Sequence, residues 1–556
     1  MALDMHRRNV LNKGLTKNKE EDADILRSII TPEHPIDPLE LLGERNFNGP
    51  REVPEYEIGT PVQEFFRNAT VFVTGGTGFM GKILVEKLLR SCPHIKRIYL
   101  LVRNKKGKSP DERIQEIFQD RLFKRLKHEV PNFYQKVSVM NGNLEQSDLG
   151  LSEEDKDKFA KEVNVVFHGA ATVRFDEKLK LAVAINVIGT REILKLAKTA
   201  KHLKVIMHVS TAYSFCPLPK LEEKFYDMPV DYRDVMNKVQ NMNDEEVNFE
   251  TAKILGEWPN TYTFTKALAE CLLKNESQGL PVGVFRPSVI ISTYKEPVRG
   301  WIDNVYGPIG VIVGVGTGIL HVYEGSADRS SADMVPVDLV VNGLICAAKA
   351  TAENYDAKNK NDVNTPIYIF SSGTQNPITW GKIIDYSLKY SMEWPTIRAI
   401  WYYSLTFTEN KHLYTVLSFL FHTIPGHLID FLASLFGKKP VLTKIYSKMN
   451  DVREILTYFR QRDWTFVNTN TQQMWQNLTK EDKQLFFFNM SEISWEYFLQ
   501  AMCLGLRVYL VNDDIDTIPA ARKKWKRLYY AHIFFKAIVF ALFIYVLWSL
   551  LKFIIF

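Results

Sequence analysis

Residues 70–81 read Thr-Val-Phe-Val-Thr-Gly-Gly-Thr-Gly-Phe-Met-Gly, and this stretch decides the fold. Its first five residues are β-branched or aromatic and predict a short buried strand. Gly75, Gly78 and Gly81 follow in a G-x-x-G-x-x-G pattern, and residues 82–90 predict an amphipathic helix. A strand, a glycine turn and a helix in this order are typical of a dinucleotide pyrophosphate site. Glycines let backbone N–H groups approach the phosphates, and the helix N-terminus favours negative charge.

Length and composition exclude several other classes of function. The 556 residues are enough for two or three domains, and a net charge of +6 is mild for a dedicated nucleic-acid binder. The five cysteines are widely spaced and form no C-x-x-C pair, so the sequence predicts free thiols in a reducing compartment and no metal site. Residues 1–51 lack the apolar core of a signal peptide, which predicts that the bulk of the chain is not translocated.

Strand and helix patterns alternate beyond the glycine turn, which predicts a Rossmann-type, doubly wound parallel sheet of α/β class. The predicted strands are 97–103, 136–140, 163–167, 205–209, 282–285 and, as a late addition, 366–370. The predicted helices are 111–127, 153–161, 179–200 and 261–277. Beyond Trp380 the chain becomes aromatic and mainly helical.

Two apolar segments stand in the C-terminal third. Residues 413–436 are interrupted by polar residues and by Pro425, which predicts two short helices in a core or at a membrane surface. Residues 533–556 are apolar apart from two lysines and a serine, and as a helix they would rise about 36 Å, enough to span a bilayer.

The last segment is therefore interpreted as a C-terminal transmembrane anchor. Its uncharged centre, 537–551, is short, so a buried or interfacial helix remains the alternative. The basic run at 522–527 precedes the span, and this charge asymmetry predicts that the body of the protein faces the cytosol.

The end of the second predicted strand bears on the choice of dinucleotide. NAD sites usually place a carboxylate about 20 residues past the glycines, to bind the ribose 2′-hydroxyl. This chain has Arg103 there, followed by Lys105, Lys106 and Lys108. A cationic cluster suits a 2′-phosphate, so the sequence favours NADPH. A solvated basic loop is the alternative.

Tyr262 and Lys266 are the candidate proton-transfer pair. They stand four residues apart on one face of a predicted helix, and no other of the 24 tyrosines has a lysine at that spacing. A phenol has a pKa near 10, and a neighbouring ammonium is expected to lower it. The strand at 205–209 runs out at Ser210 and Thr211. We expect the Thr211 hydroxyl to steady a substrate carbonyl, with Ser210 as second choice and backbone capping as the alternative.

With these residues, the chain resembles the extended short-chain dehydrogenase/reductases, and more narrowly the eukaryotic fatty acyl-CoA reductases. The narrower resemblance rests on motifs at 74–81, 100–103, 168–176, 208–213, 262–266, 285–288, 300–304 and 453–459, and it covers roughly 65–510. One departure is Asn143, where these reductases commonly carry an aspartate near the adenine.

The resemblance implies a set of site residues. Thr211, Tyr262 and Lys266 would be catalytic, and Asn186 would help to hold the active-site helix through water. The implied cofactor-binding residues are Gly75, Thr77, Gly78, Phe79, Met80, Gly81, Arg103, Asn143, Leu144, Gly169, Ala170, Ala171, Asn186, Tyr262, Lys266, Pro287 and Val289.

The resemblance also implies a domain plan and an activity. The plan is a mobile arm at 1–60, an NADPH-binding reductase domain with substrate-binding insertions at 65–375, a helical domain at 376–515 and a transmembrane anchor at 530–556. The activity is reduction of long-chain or very-long-chain acyl-CoA to a primary alcohol with release of CoA. The expected partners are that acyl-CoA and membrane lipid, and no nucleic acid is expected. A homo-oligomer is left open.

Several alternatives stay open from the sequence. The chain could be an aldehyde-releasing reductase, a sterol- or sugar-type reductase, or a membrane-tethered scaffold that binds NADPH without catalysis. The endoplasmic reticulum is the expected location, with the peroxisome membrane or the lipid droplet as alternatives.

Replacing Arg103 with glutamate should weaken binding of NADPH much more than binding of NADH, because only NADPH carries the 2′-phosphate. Fluorescence titration with both cofactors measures the difference. An equal loss for the two would contradict the assignment of Arg103.

Overall fold

The structure, a computed structural model, describes residues 36–45, 47–105, 107–325, 331–357, 365–460 and 462–555. Most of the predicted N-terminal arm lies outside these residues. Within the described part, Leu41 and Leu42 are buried against a cluster of the C-terminal domain that includes Trp394 and Leu504. The Arg299 backbone N–H also donates to the Leu42 carbonyl at 2.8 Å. This apolar pair is packed into the body, so the expected mobile arm does not extend to residue 60.

A seven-stranded sheet forms the centre of the first domain, and every pairing in it is parallel. Its strands are β1 (Thr70–Thr74), β2 (Arg97–Val102), β3 (Val137–Asn141), β4 (Val165–His168), β5 (Val205–Val209), β6 (Val282–Pro287) and β7 (Ile367–Phe370). The order across the sheet is β7-β6-β5-β4-β1-β2-β3. The doubly wound prediction is confirmed. The strand order reverses between β1 and β4, and ligands of such sheets bind outside the strand ends at that point.

Helices cover both faces of the sheet. They span Pro61–Phe65, Phe79–Ser91, Pro110–Phe118, Lys124–Glu129, Glu153–Glu162, Leu179–Val183, Gly189–Ala197, Tyr232–Asn241, Asp244–Leu255, Thr261–Glu276, Pro308–Gly316 and Val337–Ala357. Along β1, Val71 and Val73 enter one hydrophobic cluster while Phe72 enters the other, as strand alternation requires. All five cysteines are buried.

Two predicted helices differ in detail. The helix expected over 111–127 is divided, because the Asp120 carboxylate accepts from Leu122 N–H at 2.9 Å and starts a new turn. The helix expected over 179–200 contains a wider turn at Ala184–Ile188.

The C-terminal domain is mainly helical, as predicted. Its helices are Trp380–Glu393, Lys411–Ser418, Ile424–Leu435, Leu442–Arg460, Thr469–Gln476, Lys480–Leu485, Trp495–Gly505 and Ile518–Ile555. Short parallel strand pairs support it: Thr465–Phe466 with Lys220–Leu221, Thr406–Thr408 with Val322–Glu324, and, within the first domain, Met334–Pro336 with Val289–Ile291.

The prediction of two short helices over 413–436 is wrong. The chain forms one helical rod, Lys411–Leu435, through a widened turn at Phe419–Thr423. Pro425 lacks an N–H and its ring crowds the carbonyl four residues earlier, and a widened turn relieves that conflict. The last helix starts at Ile518, well before the predicted start at Ile533. Among the described residues, the stretches Lys411–Leu435 and Ile515–Ser549 are long and apolar enough to cross a membrane.

A buried ion pair ties the helix Thr261–Glu276 to the sheet. The Arg286 guanidinium at the end of β6 pairs with the Glu270 carboxylate, and both side chains are 0% exposed. The remaining N–H groups of Arg286 donate to the carbonyls of Glu222 and Lys224, each at 3.0 Å. The Ser210 hydroxyl also donates to Glu270. Every charge in this group therefore has a partner.

Replacing Glu270 with leucine should destabilise the protein by about 3–5 kcal/mol, because it leaves a buried guanidinium unpaired. The double variant Glu270→Leu/Arg286→Met removes both charges and should regain most of that stability. Thermal unfolding of the full chain in detergent measures both as changes in Tm. If the double variant is as unstable as Glu270→Leu, the pairing of the two charges is not what these residues contribute to stability.

Candidate active site

The glycine turn brings three backbone segments into direct contact. Gly75 has φ +78°, a conformation that side chains disfavour, and a Cβ on it would lie 2.8 Å from the Ala170 nitrogen. A Cβ on Gly81 would lie 2.1 Å from the Gly75 carbonyl oxygen. Gly78 is the N-cap of helix Phe79–Ser91 and has no side chain to bond that helix's first N–H groups. Those groups are directed as a pyrophosphate requires, so the cradle fits a dinucleotide.

A second loop, Gly169–Thr172 after β4, packs beside this turn. The Thr74 hydroxyl accepts from Ala170 N–H at 3.2 Å and bonds His168 Nδ1 at 2.8 Å. His168 Nε2 bonds the Thr190 hydroxyl at 3.0 Å. Burial lowers the pKa of His168 to about 3, so the ring is neutral. Its two hydrogen bonds connect Thr74 on β1 to Thr190 on helix Gly189–Ala197. This places the predicted residues Gly169, Ala170 and Ala171 beside the glycine turn.

Asn186 joins this loop to the helix Thr261–Glu276, which we call the active-site helix. Its side-chain oxygen accepts from Thr172 N–H at 3.0 Å, and its amide donates to the Thr172 carbonyl at 3.2 Å. The same amide donates to the Thr265 hydroxyl at 3.0 Å, next to Lys266. Asn186 thus holds the active-site helix by direct hydrogen bonds, and it does so from the widened turn at Ala184–Ile188.

The basic cluster after β2 differs from its prediction. Arg103 is 47% exposed and pairs with Glu145 at 2.5 Å. Arg113, from helix Pro110–Phe118, donates to the Arg103 carbonyl at 2.5 Å and to the Thr77 hydroxyl at 3.4 Å. Arg113 therefore reaches the glycine turn itself. The sequence reasoning missed it because it stands inside a helical pattern, ten residues beyond the strand end.

The predicted lysines contribute less to this site. Lys108 pairs with Glu116, and Lys106 lies outside the described residues. Asn143 accepts from Glu145 N–H at 3.3 Å, so its side chain caps its own turn. The neighbouring Leu144 is buried and packs against Gly189.

Tyr262, Thr211 and Lys266 meet at the end of β5. The Thr211 hydroxyl acts to lower the Tyr262 pKa, but burial outweighs this effect and raises the pKa to about 12. Lys266 Nζ donates to the Val209 carbonyl at 2.7 Å, and burial lowers the Lys266 pKa to about 8.

The expected lowering of the Tyr262 pKa by Lys266 is wrong for this structure, because burial is the largest influence on the phenol and the Thr211 hydroxyl is the group that opposes it. At neutral pH the Tyr262 phenol keeps its proton. It is therefore suited to donate a proton, as reduction of a carbonyl requires, rather than to accept one.

The choice between Ser210 and Thr211 follows from their partners. Ser210 donates to Glu270 and belongs to the buried ion pair. The Thr211 hydroxyl accepts from Tyr213 N–H at 3.2 Å, as capping requires, and it also acts on the Tyr262 phenol by lowering its pKa. Pro287 ends β6, and Val289 begins the next short strand.

Aromatic side chains from both domains cover Tyr262. Phe175 stacks on the Tyr262 ring with centroids 5.7 Å apart and an interplanar angle of 16°. Phe459, in the last turn of helix Leu442–Arg460, lies 5.6 Å from Phe175 and 5.6 Å from Tyr213. Arg174 pairs with Asp176 at the surface. The C-terminal domain thus contributes directly to the wall of the site, a contact that no local sequence pattern reveals.

Comparison with known proteins agrees with this geometry. Residues 73–344 match the family model described as "Male sterility protein" of the NAD-binding type, and residues 421–513 match the "Sterile" family model of the same description. Fatty acyl-CoA reductase wat of Drosophila melanogaster is 40% identical over 494 residues, covering 89% of this chain and 94% of the relative. Human fatty acyl-CoA reductase 1 is 38% identical over 467 residues, covering 84% and 89%.

Solved structures support the fold. The terminal R domain of the myxalamid PKS-NRPS biosynthetic pathway superposes with a TM-score of 0.52 at 18% identity, covering 87% of this chain and 97% of that domain. The R domain of a Mycobacterium tuberculosis non-ribosomal peptide synthetase gives a TM-score of 0.51 at 18% identity, covering 81% and 96%.

The fold and the site define an oxidoreductase of the extended short-chain dehydrogenase/reductase type that uses a nicotinamide dinucleotide. Within that class, the chain belongs to the fatty acyl-CoA reductase family.

Replacing Tyr262 with phenylalanine should lower kcat about 10²- to 10⁴-fold, the usual contribution of a positioned proton donor, and leave cofactor affinity nearly unchanged. Steady-state rates and a cofactor titration measure the two effects. Tyr458→Phe is the matched control, because that hydroxyl donates to the Cys216 carbonyl at 3.3 Å. Loss of cofactor binding in Tyr262→Phe would show a structural role instead.

Proposed function

We propose that the protein reduces long-chain or very-long-chain fatty acyl-CoA to the primary alcohol with release of CoA, using NADPH. The observation that carries the proposal is the buried, protonated Tyr262 phenol, which interacts with the Thr211 hydroxyl and stands on the helix that Asn186 ties to the loop at Thr172. Family membership supports the substrate class, since relatives over most of the chain are named fatty acyl-CoA reductases. It also weighs against sterol or sugar substrates.

In this proposal Thr211 and Tyr262 bind the thioester carbonyl oxygen. Their hydroxyls stabilise the negative charge that develops on that oxygen in a buried, weakly polar site. A nicotinamide held at the glycine turn would supply hydride chemistry at the carbonyl carbon. Tyr262 donates its proton to the oxygen and gives a hemithioacetal. Collapse of this adduct breaks the C–S bond, and the sulfur leaves as CoA once it is protonated, with an aldehyde as the other product.

The aldehyde carbonyl can be held by the same two hydroxyls for a second reduction, for which a second NADPH would supply the hydride. Tyr262 again donates the proton, this time to the alkoxide oxygen. The proton lost from Tyr262 must be replaced, and Lys266 suits that task because its pKa of about 8 lets it carry and release a proton near neutral pH. The aromatic wall of Phe175 and Phe459 excludes water from the reacting carbonyl.

Arg103 and Arg113 support NADPH over NADH. The Arg113 guanidinium bonds the Thr77 hydroxyl at the turn and the Arg103 carbonyl, which brings two arginines together at the end of β2. Paired arginines suit recognition of a ribose 2′-phosphate. Together with Gly75, Gly78 and Gly81 they would hold the cofactor.

The membrane is the proposed partner of the last helix, Ile518–Ile555. A long acyl chain and an insoluble alcohol both partition into lipid, so an anchored enzyme meets its substrate there. The basic run Arg522–Arg527 supports a cytosolic body, and the endoplasmic reticulum is the proposed membrane.

Stoichiometry tests this function. Purified full-length protein, in detergent and incubated with C16 to C26 acyl-CoA, should oxidise two NADPH for each CoA released and yield alcohol by gas chromatography. One NADPH for each CoA, with aldehyde as product, would indicate the aldehyde-releasing alternative. Absence of NADPH oxidation with every acyl-CoA would contradict the proposal.

A further inference from the structure

The helix Lys411–Leu435 is polar on its inward face. Tyr414, Ser418, His422, Gly426 and Asp430 recur every four residues, and all are buried against the body of the protein. The inward side chains are bonded: His422 Nε2 accepts from the His321 backbone N–H at 3.0 Å, and His422 Nδ1 bonds the Ser418 hydroxyl at 3.2 Å. We call this element the outer helix.

Hydrogen bonds also fix the C-terminal end of the inward face, at Asp430. The Asp430 carboxylate accepts from the backbone N–H groups of Val441, Leu442 and Thr443 at 2.9, 3.0 and 2.9 Å. Asp430 thereby caps the following helix, Leu442–Arg460. The outer helix is thus held to the protein by hydrogen bonds at its middle and at its end.

The outward face is apolar. Leu413, Leu420, Ile424, Leu428, Phe431 and Leu435 are between 46% and 65% exposed. A surface helix of a water-soluble domain places its apolar stripe inward and its polar residues outward, which is the reverse of this arrangement. A contiguous exposed apolar surface of this kind marks a contact with a partner or a membrane.

The two faces together determine how the helix can meet a bilayer. Its length and hydropathy suffice for crossing, but one face is packed on the protein from Tyr414 to Asp430. A helix packed along its length against the body, with a free apolar side, suits the plane of the membrane interface rather than a crossing.

Charge and position favour lipid as the occupant. Lys438, Lys439, Lys444 and Lys448 follow the outer helix and are exposed, as expected beside anionic headgroups. The exposed Lys411 stands at its other end.

The outer helix also adjoins the C-terminal apolar helix through one short segment. This segment is 317–321. At one end, His321 N–H donates to His422 of the outer helix, and at the other end the Thr317 carbonyl accepts from Ile400 N–H at 2.9 Å. Next to Ile400, Trp401 Nε1 donates to His532 Nδ1 at 3.1 Å, at the start of the last apolar stretch. Hydrogen bonds through this segment therefore connect the outer helix to the C-terminal helix.

We propose that the outward face of the outer helix lies in the boundary between headgroups and acyl chains of a bilayer, parallel to the membrane plane, as a second membrane contact. Through Asp430 it is joined to helix Leu442–Arg460, whose Phe459 packs on Phe175 above Tyr262. The membrane contact and the wall of the active site are thus successive parts of one helical hairpin. The lipid partner is shared with the proposed function, but the surface is a different one.

Site-directed spin labelling of the full-length protein in vesicles of phosphatidylcholine and phosphatidylserine tests this placement. All five native cysteines are buried, so a single introduced cysteine takes the label. Leu428→Cys probes the outer helix and Phe543→Cys probes the C-terminal helix. Phe249→Cys is the matched control, an 86% exposed aromatic residue on helix Asp244–Leu255 of the reductase domain.

A nitroxide at residue 428 should be reached by oxygen and should collide with a water-soluble nickel chelate several-fold less often than the label at 249. Equal nickel accessibility at 428 and 249 would overturn the proposal, even with residue 543 in lipid, and would leave C-terminal anchoring intact. Spin–spin broadening at 428 that disappears on dilution with unlabelled protein would also overturn it, since a second copy would then cover this face. The readout needs no turnover, so it is independent of the proposed reaction.

Discussion

The buried contact between Glu270 and Arg286 is the constraint on which the active site depends. This contact fastens the active-site helix to the end of β6. The hydrogen bond from Ser210 to Glu270 connects the same helix to the end of β5. Lys266, one turn before Glu270, adds its own bond to the Val209 carbonyl. A helix held at these points has little freedom to rotate, so Tyr262 keeps its register against Thr211. A proton donor displaced by about 1 Å loses much of its effect, which explains why so much buried charge is committed to one helix.

The same helix is held on its other side by a neutral network. His168 bridges Thr74 and Thr190, and Asn186 bridges the loop at Thr172 and the hydroxyl of Thr265. Because these bonds connect the glycine turn, the next loop and the active-site helix, the cofactor cradle and the proton donor form one rigid unit. The C-terminal domain completes the unit by placing Phe459 over it.

Local patterns in the sequence were sufficient for the strand, the glycine turn, the Tyr262–Lys266 spacing and the parallel sheet. Each is decided within a few residues by steric or periodic rules, and the structure confirms the fold. The direction of the Tyr262 pKa was wrong because burial is a property of the whole fold. Arg113 was missed because it stands inside a helical pattern beyond the strand end, and Phe459 because a distant segment brings it to the site. The outer helix was predicted as two pieces because Pro425 usually breaks a helix, and the widened turn before it cannot be recognised from composition.

The burial of every cysteine has a consequence for an enzyme whose proposed product is itself a thiol. Burial raises the pKa of Cys92, Cys271 and Cys503 to about 12 and that of Cys216 to about 11, and it raises the pKa of Cys346 well above its ordinary value. Thiol–disulfide exchange requires an accessible thiolate, and none of the five provides one. Free CoA and its disulfides therefore find no sulfur on the protein to modify. The protein can function in the presence of the CoA that it releases, and under changing cellular redox conditions, without forming mixed disulfides.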